Sequence, residues 1–104
     1  MTINLNNYQT WTNTTAIYPK QKELEYLGLG LASEAGEVCS VIKKHIRDNT
    51  PLNDLFGELG DCCYYLARLA DSVGWSLEDI IQANREKLES RKERNVISGS
   101  GNIR

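Results

Sequence analysis

Apolar residues recur at helical spacing along most of the chain, and no useful stretch alternates between apolar and polar positions. The clearest apolar stripe steps by four and three residues, through Leu55, Leu59, Cys62, Leu66, Leu69 and Val73. A second stripe of similar spacing runs through Leu27, Leu31, Val38 and Val41. Because the side chains of a strand alternate with a period of two, these spacings predict helices. The pattern therefore predicts an all-α fold.

The first two helices are delimited by the two prolines of the chain. A polar segment from about Asn4 to Tyr18 is expected to be helical and to end before Pro19. The second helix is expected from about Gln21 to Ile46. It ends in a polar run before Pro51, because a proline disfavours helical geometry at the residue that precedes it.

The third and fourth helices are delimited by capping residues. Asn53 or Asp54 is the expected N-cap of the third helix, which Gly74 is expected to end. Ser76 is the expected N-cap of the fourth helix, which continues to about Arg94. The sequence therefore predicts three to four helices that form a bundle.

The length of 104 residues allows one domain, which we place at residues 1–97. Residues 98–104 are rich in Gly and Ser and are expected to form a mobile C-terminal tail. Both long helices carry apolar residues on more than one side, whereas a chain of this size buries a limited share of its surface. We therefore expect oligomerisation to complete the bundle, as a dimer at least.

Composition and charge exclude several classes of protein. Twelve Lys and Arg residues against fourteen Asp and Glu residues leave a net charge of -2 without a long basic run, which argues against a nucleic-acid partner. No apolar run approaches the roughly 20 residues that cross a bilayer, and no signal peptide is evident. We therefore expect no membrane partner and a cytoplasmic location.

The three cysteines, Cys39, Cys62 and Cys63, do not fit a disulfide framework, because their number is odd and two are adjacent. In a cytoplasmic protein they are expected to be reduced and buried as small apolar side chains. A zinc site that combines them with His45 lacks the usual Cys-x-x-Cys spacing. His45 itself is expected to face solvent near a helix end.

Four acidic residues interrupt the helical pattern at matching positions. Glu34 occupies a place in the second stripe that should be apolar, and Glu37 follows three residues later. Glu58 and Asp61 repeat this spacing beside the leucine stripe of the third helix. Two like charges about 4 Å apart repel by roughly 4 kcal/mol at an effective dielectric constant of 20, so a shared core requires protons or a cation. Mg²⁺ is the natural partner of such oxygen ligands, although four solvated surface charges are the simpler alternative.

Two glycines accompany the acidic pairs. Gly36 lies between the carboxylates of the first pair, and Gly60 lies between those of the second. Each costs roughly 1 kcal/mol relative to alanine in a helix. Their presence predicts either a close helix crossing or a close approach of the backbone to the metal cluster.

Basic and amide side chains could complement a polyphosphate. Asn84, Lys87 and Arg91 share one face of the fourth helix, where a solvated basic helix end is an equally good interpretation. Lysine would bind a phosphate as a point charge and arginine as a bidentate fork. Lys44 lies ten residues beyond Glu34 and is a further candidate.

Together these residues resemble the MazG-like nucleoside triphosphate pyrophosphohydrolases of the all-α NTP pyrophosphatase superfamily. The similarity covers roughly residues 8–91 and departs from many family members at Tyr64, where they carry Trp. It rests on four segments, which are Glu34-Ala35-Gly36-Glu37, Glu58-Leu59-Gly60-Asp61, Asn84 to Lys87 followed by Arg91, and Tyr8-Gln9.

The resemblance implies an enzyme that cleaves a (d)NTP between the α and β phosphates, giving a monophosphate and pyrophosphate, in nucleotide-pool control or cleansing. Mg²⁺, replaceable by Mn²⁺, would bind Glu34, Glu37, Glu58 and Asp61, and Glu37 or Glu34 would activate the attacking water. The implied phosphate ligands are Lys44, Asn84, Lys87 and Arg91. The implied base contacts are Tyr8, Gln9, Trp11 and Tyr65. The resemblance also implies a homodimer or homotetramer.

Two alternatives stay open at this point. The phosphoribosyl-ATP pyrophosphohydrolases share the fold and the acidic motifs, although Tyr8-Gln9 and the Asn84 to Lys87 segment favour the MazG-like branch. A non-catalytic helical module for nucleotide binding or protein interaction is the other alternative. The intact set of four carboxylates argues against a loss of activity.

Overall fold

Four α-helices make up the computed structural model of the chain, which describes residues 2–104. They are α1 (Leu5–Thr12), α2 (Glu23–Asp48), α3 (Asn53–Ser72) and α4 (Leu77–Glu93), with short 3₁₀ turns at Asn13–Thr15 and Lys20–Lys22. No strand occurs among the described residues, which confirms the all-α prediction. Met1 of the predicted domain 1–97 lies outside the described residues. None of the four helices is long and apolar enough to cross a membrane.

The first helix is shorter than predicted, since α1 ends at Thr12 and the chain leaves helical geometry at Ala16. Asn4 caps its start by accepting the backbone N–H of Asn7. At its end, the hydroxyl of Thr15 donates to the carbonyl of Thr12 at 3.0 Å. Such local bonds compete with the helical ladder, which explains why the polar segment does not stay helical up to Tyr18.

The turn between α2 and α3 fixes the angle between the two long helices. Asn49 adopts the left-handed conformation, with φ of 57°, and its N–H donates to the carbonyl of His45. The Nδ1 atom of His45 lies 2.7 Å from the carbonyl oxygen of Thr50, and this hydrogen bond from the half-buried histidine stabilises the turn. The predicted N-caps of α3 were wrong, because Leu52 holds the N-cap position without a side-chain bond.

Gly74 and Ser76 both lie where they were predicted to lie in the turn between α3 and α4, which confirms their predicted roles. Gly74 has φ of 79°, and its N–H donates to the carbonyl of Asp71. The N–H of Trp75 donates to the carbonyl of Ala70, which completes a Schellman motif. Ser76 then caps α4 by accepting the N–H of Asp79.

The core of the single chain is small. Helices α2 and α3 form a hairpin, α1 packs against α3, and α4 packs against α1 and α3. The apolar residues that are buried are Tyr18, Leu27, Ala67, Ala70 and Leu77. By contrast, the predicted leucine stripe of α3 remains half-exposed, and Leu66 keeps 44% of its surface accessible. One chain therefore does not cover its own apolar stripe.

Gln9 attaches α1 to the junction between α3 and α4. Its Nε2 donates to the carbonyls of Trp75 at 2.9 Å and Ala67 at 3.3 Å, and its Oε1 accepts the N–H of Leu77 at 2.8 Å. The side chain is buried, and both ends of its amide bind the chain's own backbone. This placement speaks against the predicted contact between Gln9 and a base and gives the residue a structural role.

The cysteines depart from the prediction. All three are free, as expected, but Cys39 and Cys63 are exposed and Cys62 is only half-buried. The predicted burial was therefore wrong for this chain, because the faces of α2 and α3 that carry these thiols lie outside its small core.

Candidate metal and phosphate site

Three of the four predicted carboxylates meet across the α2–α3 hairpin. Glu34 projects from α2, and Glu58 and Asp61 project from the first half of α3. One carboxylate oxygen from each lies within 4.8 Å of the others. Glu34 and Glu58 are half-buried, whereas Asp61 is exposed. The turn at Asn49 returns the chain so that the two acidic pairs face each other, and the cluster opens to solvent on one side.

The negative charges of this acidic cluster are not balanced by nearby positive charges. Desolvation raises the pKa of the Glu58 carboxyl, and so do a hydrogen bond with Glu34 and the negative charges of Glu34, Glu37 and Asp61. The pKa of the Cys62 thiol is raised by desolvation and then by the negative charges of Glu34, Cys63, Asp61 and Glu58, and this favours the protonated form. No ion pair in the part of the chain that the structure describes includes any of the four acids.

The donor set fits a hard divalent cation. All three converging ligands are carboxylate oxygens, which Mg²⁺ prefers over nitrogen and sulfur. The exposed side of the cluster leaves space for the water molecules that Mg²⁺ normally retains. Among residues 2–104 this is the group of acidic, histidine and cysteine side chains that converges for a metal, and His45 and the cysteines take no part in it.

A cleft of about 500 Å³ extends from the acidic cluster toward the α2–α3 turn. Glu37 and Glu58 lie at its border with the cluster, and Lys44 contributes a positive charge farther along α2. The cleft is lined by Glu37, Ser40, Val41, Lys44, Thr50, Pro51, Asn53, Asp54 and Glu58. The structure thus brings Glu37 and Lys44 to the same site. It adds polar groups that the sequence analysis did not select.

Ser40 and Asn53 are the functional candidates that sequence reasoning missed. Ser40 follows Glu37 by three residues and precedes Lys44 by four, so all three share one face of α2. This spacing could have identified Ser40 as a candidate from the sequence alone. Asn53 enters the cleft because the tight turn places the start of α3 opposite the end of α2. No spacing rule within one helix reveals that neighbour.

The predicted phosphate ligands of α4 lie elsewhere in the single chain. Asn84, Lys87 and Arg91 do not line the cleft between α2 and α3. The Nζ of Lys87 donates to the side chain of Asn102, and Arg91 donates to carbonyls of the tail. Asn84 is exposed beside a surface groove that also includes Ile97. One chain therefore does not unite these residues with the acidic cluster.

Two of the predicted base-contacting residues form an aromatic pair on α1. The rings of Tyr8 and Trp11 stack with their centroids 6.5 Å apart, and both line a surface pocket with Ile3. Burial raises the pKa of Tyr8, and the negative charges of Cys63, Tyr64 and Asp61 raise it further. Tyr8 therefore lies within electrostatic reach of the acidic cluster on its α1 side.

Tyr65 flanks the acidic cluster on its α2 side. Its pKa is raised by burial, by Tyr26 and by the charge of Glu34. Its ring packs on Gly30 so closely that a Cβ atom at position 30 would lie 2.2 Å from the Cε1 atom of Tyr65. Gly36 and Gly60, by contrast, face open space, so the predicted close crossing at these two glycines does not occur within one chain.

The chain is similar to one known family of proteins. The family model of the MazG nucleotide pyrophosphohydrolase domain matches residues 22–96, which include the acidic cluster and the basic face of α4 but neither α1 nor the tail. The Gene 37 protein of Mycobacterium phage L5 is 40% identical in an alignment 109 positions long, which spans 93% of this chain and 96% of that protein. No solved structure gives a significant match. The chain belongs to the MazG nucleotide pyrophosphohydrolase domain family.

Proposed function

We propose that the protein is a Mg²⁺-dependent nucleoside triphosphate pyrophosphohydrolase. It would cleave a (d)NTP between the α and β phosphates and release a monophosphate and pyrophosphate, serving nucleotide-pool control or cleansing in the cytoplasm. The observation that carries the proposal is the convergence of Glu34, Glu58 and Asp61 within 4.8 Å beside a cleft of about 500 Å³. A cleft of this size suits a small molecule, and an acidic cluster without a paired base suits a cation that binds phosphates.

The metal would be held by Glu34, Glu58 and Asp61, with Glu37 one helical turn away at the edge of the cleft. Bound Mg²⁺, or Mn²⁺ in its place, would supply Lewis-acid stabilisation of the phosphate charge and would increase the acidity of the attacking water. The raised pKa of Glu58 reflects desolvation first and then repulsion from the neighbouring carboxylates, and such a cation would remove the repulsion. The acidic cluster is therefore arranged to bind a cation. When no metal is bound, the repulsion between its carboxylates destabilises the folded protein.

Glu37 is our candidate for orienting and deprotonating the attacking water, with Glu34 as the second candidate. Glu37 is exposed at the cleft and lies outside the group of three converging oxygens. A carboxylate that the metal does not fully occupy keeps a lone pair for the proton of water. Lys44, in the same cleft, would bind the phosphate oxygens and offset the charge that develops on them.

The remaining contacts would come from two further surfaces. Tyr8 and Trp11 on α1 and Tyr65 on α3 would stack on the base or hydrogen-bond to it. The charges of Asp61 and Glu34 reach Tyr8 and Tyr65 respectively, and Trp11 stacks on Tyr8. Asn84, Lys87 and Arg91 on α4 would bind phosphates, but one chain holds them away from the cleft. The phosphate-binding set therefore requires a second copy of the chain or a different placement of α4.

An assay with a panel of nucleotides tests the proposed activity. With Mg²⁺ we expect at least one canonical or modified (d)NTP to yield monophosphate and pyrophosphate in equal amounts, with pyrophosphate and inorganic phosphate detected separately. Chelation of the metal should abolish this release, and Mn²⁺ should restore it. Inorganic phosphate as the sole product, turnover of phosphoribosyl-ATP alone, or tight nucleotide binding without turnover would each refute the proposal.

We also propose that the working unit is a homodimer or homotetramer. The chain exposes 7781 Å², whereas a compact monomer of its mass exposes about 5,900 Å². Its radius of gyration of 16.5 Å exceeds the roughly 13 Å that is typical of about 100 residues. The excess surface of about 1,900 Å² per chain is more than the roughly 800 Å² that each partner of a standard interface buries.

Sedimentation at micromolar concentration measures this assembly. We expect a species of two or four chains, since the half-exposed stripe of α3 is an apolar face that a second copy of the chain would cover. Leu66→Lys, in the middle of that stripe, should shift the equilibrium toward the monomer and lower activity with it. Thr14→Lys, at an exposed polar position, is the matched control. A monomer of 11.7 kDa that retains full activity would contradict the proposal.

A further inference from the structure

Residues 98–104, the tail, fold back along the basic face of α4. Lys87 donates its Nζ proton to Oδ1 of Asn102 at 2.8 Å, and the Arg91 guanidinium donates to the carbonyls of Gly101 and Asn102. Arg94 donates to the backbone oxygen of Arg104 at 2.6 Å. The tail thus accepts hydrogen bonds from Lys87 and Arg91, the two cationic side chains that the proposed function assigns to phosphate binding.

These tail contacts satisfy hydrogen bonds but provide no compensating charge. Arg91 retains only 6% of its surface accessible, and neither it nor Lys87 takes part in any ion pair of the described residues. Burial lowers the pKa of Arg91, and the nearby positive charges of Arg104 and Arg94 lower it further. A buried guanidinium among other cations favours an anion as its partner.

The tail is not needed to end α4. The helix ends in its own Schellman motif, in which Asn95 has φ of 59° and the N–H of Val96 donates to the carbonyl of Arg91. The tail also buries little apolar surface, since the side chain of Ile103 is 96% exposed. Glycines at 99 and 101, both at positive φ, shape its turn. Displacement of the tail would therefore leave the helix and the core intact.

We propose that the tail is a displaceable latch, which covers Lys87 and Arg91 in the free protein and is released when a polyphosphate binds them. The proposal rests on the proposed function in assigning these two residues to phosphates. A polyphosphate offers charged oxygens where the tail offers neutral ones, and charge-assisted bonds are the stronger kind. The family model ends at residue 96, so the latch is a feature of the segment that follows the matched domain.

Substitutions within the full chain test whether the tail competes with the ligand. The double variant Gly101→Val with Asn102→Ala places a branched residue at φ of 87° and removes the acceptor of Lys87. We expect its affinity for inorganic tripolyphosphate, measured by calorimetry without metal, to rise about fivefold to tenfold, because fewer molecules have the site covered. Ser100→Ala, at an exposed tail position, should leave the affinity unchanged.

A substitution with the opposite expected effect strengthens the test. Asn102→Asp places a carboxylate against Lys87, so the latch should hold more tightly and the affinity for tripolyphosphate should fall. If the double variant binds tripolyphosphate more weakly than the natural chain, the tail contributes to the anion site and the latch is refuted. Equal affinities in all variants refute it as well.

Tail release has a readout that does not depend on catalysis. On addition of tripolyphosphate, the backbone amide resonances of residues 99–102 should move to random-coil positions and sharpen. If they do so while no nucleotide is hydrolysed, the latch stands and the proposed activity fails. If nucleotides are hydrolysed while these resonances stay fixed at saturation, the activity stands and the latch is refuted.

Discussion

Replacement of Asp61 by asparagine is expected to lower turnover by about 10²- to 10³-fold, which corresponds to roughly 3–4 kcal/mol of lost transition-state stabilisation. Asp61 is one of the three carboxylates that converge, and it is the exposed one, so its amide fits without repacking of the core. The neutral amide leaves the metal with less negative charge to hold it. Measurement of pyrophosphate release at saturating Mg²⁺ and nucleotide checks the result.

Glu37→Gln separates the proposed base from the metal ligands. Glu37 lies outside the converging group, so its amide should lower kcat by a similar factor and still permit metal binding. Thermal unfolding as a function of Mg²⁺ shows the difference, because a metal bound only by the folded state raises Tm. We expect Mg²⁺ to stabilise Glu37→Gln nearly as much as the natural chain and to stabilise Asp61→Asn much less.

Without metal, Asp61→Asn should be more stable than the natural chain at neutral pH. The folded state raises the pKa of Glu58, so the stability that this group contributes is present at low pH and is lost as pH rises through the raised pKa. Asp61→Asn removes one of the charges that cause the shift and should therefore reduce the loss. Glu25→Gln, at an exposed position of α2, is the matched control. Near-natural turnover in Asp61→Asn would place Asp61 outside the metal site.

The acidic cluster was predictable because its information is local. Two pairs of acids at a spacing of three lie on two helices that a short turn joins, so the hairpin brings them together. The same holds for Gly74 and Ser76, whose roles depend on backbone conformation and on bonds to close neighbours. Features of this kind require only the helical period and the chemistry of turns.

The predictions that the structure does not support concern contacts between distant segments. Gln9 has the polarity of a base-binding residue, yet its partners lie 58 to 68 positions away. The same limit applies to Cys39, whose burial depends on what covers its face of α2 and not on its own helix. The leucine stripe of α3 has the same limit, because its spacing does not tell which element covers it, and its half-exposed members, such as Leu66, leave it open to a second chain. Helical periodicity identifies a face but not the element that covers it.

Arg68 is the strongest example of such a distant contact, and the sequence pattern did not single it out. It lies on α3 with 1% of its surface accessible. Its Nε donates to the hydroxyl of Tyr18 at 3.0 Å, and its Nη2 lies 3.2 Å from the carboxylate of Asp71. Weaker bonds reach the last residue of α1, Thr12, and the residue that follows it, Asn13. One guanidinium thus links α3 to the chain on either side of the first loop.

Arg68→Met is expected to destabilise the protein by about 3 kcal/mol, mainly because it leaves the buried hydroxyl groups of Tyr18 and Thr12 without their donor, and also because it removes an ion pair with the half-exposed Asp71. For a chain of about 100 residues this lowers Tm by roughly 15 °C, measured at equal protein concentration. Amide exchange should accelerate most in α1, whose attachment depends on this network. Arg68→Lys should recover part of the loss, since an ammonium group restores the charge but not the planar fork.

The matched control is Arg85→Met, since Arg85 is an exposed helical arginine that forms an ion pair with Glu89 four residues later. Exposed pairs of this kind contribute less than about 0.5 kcal/mol, so Tm should change by a few degrees at most. If Arg68→Met melted within a few degrees of the natural chain, the guanidinium would contribute little to the stability of the core. Burial of Leu27 and of the two alanines of α3 would then hold the first segment in place. A large loss confined to Arg68 would show that a polar network, more than apolar area, attaches the segment carrying Tyr8 and Trp11.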